Sequence, residues 1–225
     1  MLKFYFHRSP NPMKVALLLE ELGVKYEVFK TDIFKGEQHT TEFRALNPNG
    51  KVPVIVDGDT VVFDSNAILL YLAEKNKQFL PTNEKERTTA LSWLFFVATG
   101  LSPFSGQAVH FLRAAPQDEG LSYARNRYLK EVERHYQVLD KHLEKHHYLA
   151  GDTYSIADTA LWGWANAATY IFGEKGVSDY SNVHRLYQEI SARPAALRAL
   201  ALKEKMVFKT EMDEEARRAM FVHTK

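Results

Sequence analysis

The hydrophobic period of this 225-residue chain changes for good near residue 80, and that change constrains its fold more than any other feature. Before it, apolar spacing switches between two and 3.6 residues; after it only the helical period remains. Leu2, Phe4 and Phe6 alternate with Lys3, Tyr5 and His7, which predicts a strand. The loop Arg8-Ser9-Pro10-Asn11-Pro12 leads into Val15, Leu18, Leu19 and Leu22, an amphipathic helix with Pro12 in its first turn and Gly23 just past its end. Residues 24–29, rich in β-branched and aromatic side chains, predict a second strand, parallel to the first because the crossover is long. Asn47-Pro48-Asn49-Gly50 marks a turn, and Asp57-Gly58-Asp59 joins the apolar runs 52–56 and 60–63 in a predicted hairpin. Asp64-Ser65 then opens an apolar helix. The order is βαβ followed by ββα, an α/β domain over residues 1–78.

From residue 85 the segments 91–101, 123–147, 156–172 and 183–190 all carry helical spacing, and 194–201 is a short further helix. This predicts an all-helical domain over 85–225, joined to the first through Phe79-Leu80-Pro81-Thr82-Asn83. Residues 212–225 read equally as a docked last helix or a frayed tail. Ser155-Ile156-Ala157-Asp158, heading an apolar run, matches the reciprocal capping box with Asp in place of Glu, a folding determinant worth about 1 kcal/mol.

Composition narrows the chemistry. Lys plus Arg at 29 against Asp plus Glu at 28 leaves a formal charge of +1, so no nucleic-acid or anionic-membrane surface is expected. No apolar run reaches the roughly 18 residues that cross a bilayer, and Met1 to Pro10 lacks the pattern of an export signal, so the expected location is cytoplasmic. With no cysteine, the protein has no thiol nucleophile or thiolate ligand of its own; any reacting thiol must arrive with a ligand. His135, His142, His146 and His147 imitate metal-ligand spacing, but no carboxylate or cysteine set completes it, and no metal is expected.

Four motifs, in this order and at these spacings, carry a resemblance over nearly the whole chain: Ser9-Pro10-Asn11-Pro12-Met13-Lys14, Asn49-Gly50-Lys51-Val52-Pro53, Phe63-Asp64-Ser65-Asn66-Ala67-Ile68, and the Ser155 cap within Gly151-Asp152-Thr153-Tyr154. With them the chain resembles the glutathione transferase superfamily. The resemblance implies a thioredoxin-like glutathione-binding first domain, a helical second domain and a homodimer. Ser9-Pro10-Asn11, Gln38 after Gly36, Trp93-Leu94-Phe95, Gly106-Gln107 and Ala114-Ala115-Pro116-Gln117 are most similar to the bacterial nu class and its fungal Ure2-like relatives. Those are associated with disulfide-bond reductase activity on glutathione and its mixed disulfides, with transferase and peroxidase side activities. Ser9 and Asp64 stand where nu members usually carry Thr and Glu, and both keep the functional group.

What the resemblance implies for single residues sits beside what the residues say alone. Ser65 and its N–H at a helix start suit the γ-glutamyl carboxylate and Asp64 the ammonium, although Asp64-Ser65 reads equally as a plain N-cap. Pro53 fits a sheet edge, a strand end or a cis bend; the family form is a cis bond that turns the backbone of Val52 to the cysteinyl part of the ligand. Lys51 and Gln38 would meet the glycyl carboxylate; individually each reads as a solvated side chain. A free thiol has a pKa near about 8.5, so its thiolate needs donors, and Ser9 and Asn11 are the expected pair. Their plain alternatives are a turn residue and the N-cap of a helix beginning at Pro12. Tyr5 is the competing thiol donor, with sheet packing as its alternative. Arg127 and Arg134, on one helix face, would reach a neighbouring subunit's ligand or lie solvated. The implied substrate is glutathione or its disulfide together with a small electrophile or disulfide. The implied enzyme has as its alternative a glutathione-binding regulatory module with little turnover.

Overall fold

Alternation along the first strand fixes which face of the sheet is filled. In the computed structural model, which describes residues 1–115 and 119–221, β1 (Leu2–Phe6) buries Leu2, Phe4 and Phe6 on one face while Tyr5 lies on the other against the rings of Phe29 and Phe43. β2 (Tyr26–Lys30) runs parallel to β1, with Phe6 opposite Lys30. β3 (Val54–Asp57) runs antiparallel to β1, with Tyr5 opposite Val54. β4 (Thr60–Phe63) closes the hairpin, with Val54 opposite Phe63 and Asp57 opposite Thr60. The sheet order is β2-β1-β3-β4. The βαβ-ββα reading holds, with strand ends displaced by one or two residues.

Helix α1 (Pro10–Leu22) starts two residues before the expected position, so Ser9 and not Asn11 is its N-cap. The reason is that the first-turn N–H groups of a helix have no partner inside it, and proline can stand there without losing a bond. Pro10 and Pro12 both fit. The helix ends at Gly23, whose φ of 64° is the left-handed cap that favours glycine. α2 (Thr41–Leu46) and α3 (Ser65–Asn76) complete the first 76 residues.

The contacts draw the line between compact units elsewhere than the period change does. One unit is Met1–Leu72 together with Pro194–Lys225; the other is Ala73–Arg193. In the first unit α10 (Pro194–Lys205) packs on α1, burying Ala195, Ala196 and Ala199, and Arg198 reaches Glu20 at 2.6 Å. The expected helix over 194–201 is thus present, but it belongs with the sheet. Beyond it Phe208 is buried and α11 (Glu214–Met220) docks through Ala216; of the two readings of this segment, the docked helix is found.

In the other unit α4 (Glu84–Phe96) continues through a π-turn at Val97–Leu101 into α5 (Ser102–Val109) and a second π-turn at His110–Ala114. Pro103 supplies no N–H to the turn before it, and the wider turn accommodates that gap. Gly100 lies in the first π-turn because a β-carbon there would stand 2.5 Å from His135 Nε2. That imidazole is fixed by Glu131 O at 2.6 Å and by the rings of Phe96 and Phe104. α6 (Ser122–Leu143) is followed by α7 (Ile156–Ala165), α8 (Thr169–Phe172) and α9 (Ser181–Ser191). The single helix expected over 156–172 is two. No helix among the described residues is long and apolar enough to cross a membrane.

The capping box at α7 is present in full. Ser155 Oγ accepts from Ala157 N, and Asp158 Oδ2 accepts from Ser155 N at 2.8 Å. Asp158 does more than the motif requires: its Oδ1 accepts from Leu149 N at 2.8 Å, tying the preceding loop to the helix. Burial pushes its carboxyl up to about 6, against these donors, which favour the anion. Asp158→Ala would remove the reciprocal half of the box and leave two buried N–H groups, those of Ser155 and Leu149, unpaired, so a loss of about 3 kcal/mol is expected in urea unfolding. A loss below about 1 kcal/mol would show the network to be dispensable.

Candidate functional site

The strand registers gather four chain ends at one end of the sheet. β1 leaves there toward Ser9, β3 enters there from Val52, β4 leaves there toward Asp64, and β2 leaves there toward the segment that carries Gln38. Ser9, Asn11, Gln38, Lys51, Val52, Pro53, Asp64 and Ser65 therefore belong to one unit and one edge of it. Arg127 and Arg134 belong to the other unit.

Ser9 caps α1 by backbone conformation alone, φ −73° and ψ 163°, and its hydroxyl makes no capping bond. Pro10 and Pro12 have no N–H, and Met13 N bonds to Ser9 O at 3.3 Å. The first turn thus presents one unengaged backbone donor, the N–H of Asn11. Asn11 Oδ1 is buried without a partner among the described residues. The hydroxyl, the amide and this N–H share a short stretch at the positive end of a helix.

Asp64 sits in the left-handed region, φ 70°, unusual for a residue with a β-carbon. Its Oδ1 accepts from Asn66 N at 2.8 Å and Ala67 N at 3.2 Å, and its carbonyl from Ile68 N at 2.9 Å. Asp64 is thus the N-cap of α3, and the plain reading of this dipeptide holds. The same bonds leave the Ser65 N–H as the first-turn donor of α3 not so engaged, beside the Ser65 hydroxyl, while exposed Asp64 keeps Oδ2 outside the cap. Both functions fit one pair of residues.

The Val52-Pro53 bond is cis. Val52 precedes β3, so it lies outside the ladder, and the turn before it is held by Asn47, whose Nδ2 donates to Lys51 O at 2.7 Å and whose Oδ1 accepts from Asn49 N at 3.0 Å. Lys51 itself is exposed. Gln38 is placed differently from the solvated side chain its sequence suggests: it is 4% exposed, and its Nε2 donates to Ile33 O at 3.2 Å and Ala219 O at 3.3 Å. Tyr5 stacks on Phe29 at 5.1 Å.

Two residues escaped the motif reading. Lys14, inside the first motif, is 0% exposed, and burial drives its ammonium down to about 7, with Asp64 opposing that shift. A lysine interrupting Met13-Val15-Ala16-Leu17 was the available signal. His7, two residues before Ser9, packs between Phe34 and Phe208, with neither ring nitrogen partnered among the described residues; burial lowers it to about 4, with Asp32 opposing and Arg8 assisting, so it is neutral at pH 7.

On α6, Arg127 Nη1 at 3.4 Å and Arg134 Nη2 at 2.6 Å share the carboxylate of Glu131, whose pKa the Arg134 hydrogen bond lowers. The four histidines are otherwise engaged: His135 with Glu131 O, His142 with Leu149 O and stacked on His146, and His147 with Glu189. Among the described residues no group of three or more His, Cys, Asp or Glu is arranged for a metal. Pro116 and Gln117 of the expected Ala-Ala-Pro-Gln motif lie outside the described residues.

The buried lysine has a pH consequence. Its folded pKa of about 7 lies below its unfolded value of 10.5, so the folded state binds fewer protons between them. Stability attributable to Lys14 is full above pH 10.5 and falls as pH drops toward 7. Urea unfolding between pH 7 and 10 should show wild-type stability climbing relative to Lys14→Met; parallel profiles would remove Lys14 as the titrating group.

Residues 1–74 match the family Glutathione S-transferase, N-terminal domain, and residues 106–194 match Glutathione S-transferase, C-terminal domain. The Escherichia coli (strain K12) protein named Disulfide-bond oxidoreductase YfcG is 43% identical over 207 residues, 89% of this chain and 94% of that one. A glutathione transferase from Burkholderia graminis, solved with two glutathione molecules bound per subunit, is 36% identical with a TM-score of 0.83, covering 91% of this chain and 89% of that one. URE2P6 from Phanerochaete chrysosporium, solved with oxidized glutathione, is 31% identical with a TM-score of 0.83, covering 91% and 96%.

Proposed function

Because this chain belongs to the glutathione S-transferase family, we propose that it binds glutathione at the sheet end described above and uses its thiolate to reduce disulfides. The observation that carries the reading is the convergence of Ser9, Val52, Asp64 and Ser65 at one end of one sheet, each with a polar group the fold leaves unengaged. A ligand with an ammonium, two carboxylates and a thiol matches that set. The γ-glutamyl carboxylate takes the Ser65 N–H and hydroxyl at the head of α3, and Asp64 Oδ2 takes the ammonium. Val52 pairs with the cysteinyl backbone as an added strand. Lys51 meets the glycyl carboxylate, and Gln38 joins it by giving up its bond to Ala219 O.

The thiol then lies by the head of α1. Ser9 hydroxyl, Asn11 amide and Asn11 N–H donate to sulfur and stabilise the thiolate, each contributing about 1.5 to 3 kcal/mol. The glutathione thiolate attacks one sulfur of a disulfide RS–SR, the S–S bond breaks, and RS⁻ leaves and takes a proton. A second glutathione thiolate attacks the mixed disulfide GS–SR, releasing RS⁻ and forming GSSG. Two glutathiones are oxidised and one disulfide is reduced. The protein has no cysteine, so all sulfur chemistry belongs to the ligands. The same thiolate can attack an electrophilic carbon, which gives the transferase side activity. Dependence on reduced glutathione suits a cytoplasmic setting. We also read the chain as one half of a homodimer, in which Arg127 or Arg134 reaches the partner's ligand; exposed Phe95 and Val138 support a buried face on α4 and α6.

A Ser9→Ala, Asn11→Ala double variant, which removes two of the three donors, should raise the thiol pKa of bound glutathione, followed by thiolate absorbance, by about two units or more. It should lower kcat/KM for a small disulfide about 10- to 100-fold. An unchanged thiol pKa would dismiss both residues from the chemistry. Turnover of that disulfide, measured against a chloroaromatic acceptor, separates reductase from transferase. Tight glutathione binding with no turnover of either would make the protein a binding module.

A further inference from the structure

The residues after α10 form a strap over the segment that carries Gln38. Phe208 wedges against Phe6 and His7, and Lys209 N donates to Asp32 Oδ2 at 2.9 Å. Lys209 Nζ also pairs with Asp213 and Glu215 at the head of α11. The helix then lies along the turn Ile33–Lys35, with Ala216 fully buried and Ala219 against Gly36. At its end the Ala219 carbonyl is reached by two neighbours: Gln38 Nε2 at 3.3 Å and His39 Nε2 at 2.9 Å. Arg44 donates to His39 Nδ1 at 3.2 Å, which makes Nε2 the protonated nitrogen and a donor to Ala219. Gln38 has two amide hydrogens, and Ile33 O and Ala219 O take both. Its Oε1 is buried without a partner among the described residues. As it lies, Gln38 has no amide hydrogen left to offer a carboxylate.

We propose that α11 is an internal competitor for the glycyl carboxylate of glutathione: the Ala219 carbonyl holds the Gln38 amide, and glutathione binds by displacing the helix. The proposal rests on the glutathione reading above and adds its regulation. A carboxylate is the stronger acceptor, so exchange of carbonyl for carboxylate favours the ligand. A seven-residue helix is marginal by itself, so releasing it costs little once its docking is lost. Thr210, Glu211 and Met212, outside any helix or strand, supply the hinge, while Phe208 and the Lys209 bond to Asp32 hold the stem. The apparent affinity for glutathione is then the intrinsic affinity reduced by the fraction of molecules with α11 undocked.

Hydrogen exchange of the full-length protein, with and without glutathione, tests this directly. Amides of residues 214–220 should exchange at least about fivefold faster when glutathione is bound. Unchanged or slower exchange overturns the latch alone. Ala216→Asp places a charge in the docking face; the folded variant, checked by circular dichroism, should bind glutathione about five- to tenfold tighter by calorimetry. A folded variant with equal or weaker affinity overturns the latch, since a helix that merely supported the site would lower affinity when lost. If the variant does not fold, the exchange measurement on the wild type decides. A wild type that binds no glutathione overturns the functional reading and the latch with it.

Discussion

The mixed pairing of one central strand is the constraint on which the rest depends. β1 pairs parallel with β2 on one side and antiparallel with β3 on the other. A parallel neighbour leaves the sheet at the same end as β1, and an antiparallel neighbour enters there. Adding β4 antiparallel to β3 returns the chain to that end once more. Four loops distant in sequence must therefore meet, whatever side chains they carry. The site is a consequence of hydrogen-bond direction before it is a consequence of chemistry.

Side-chain chemistry then decides what the meeting point can hold. Both helices that start there use their first turns sparingly. In α1 two prolines remove donors; in α3 Asp64 occupies three N–H groups through its side chain and carbonyl. What remains is few and directional: one N–H and one hydroxyl at each helix head, with a carboxylate at the second. Lys14, whose charged form Asp64 favours, and neutral His7 before Ser9 are both buried.

Legibility in the sequence followed the range of the interaction concerned. The alternation of Leu2, Phe4 and Phe6, the Asp-Gly hairpin and the Ser155 cap are local, and the structure has all three. The first residue of α1 was displaced because Pro10 and Pro12 are both at home in a first turn, where nothing local distinguishes them. The partner of α10 was illegible for a different reason: a helical stripe says that one face is buried and does not say against what. Gln38 reads as a surface residue until Ala219, 181 positions later, is laid over it. Lys14 was visible as a charge inside an apolar run, but its neighbour Asp64 comes from another helix cap.

The two prolines at the head of α1 carry one more implication. Helix starts that hold phosphate or sulfate do so with several converging N–H groups, one for each of several oxygens. Here the first turn retains a single such group. It is too poor in donors to compete with water for a densely charged oxyanion, yet sufficient for one large, weakly hydrated atom bearing a single charge. On the glutathione reading, what the backbone lacks at this helix head is what suits it to a thiolate.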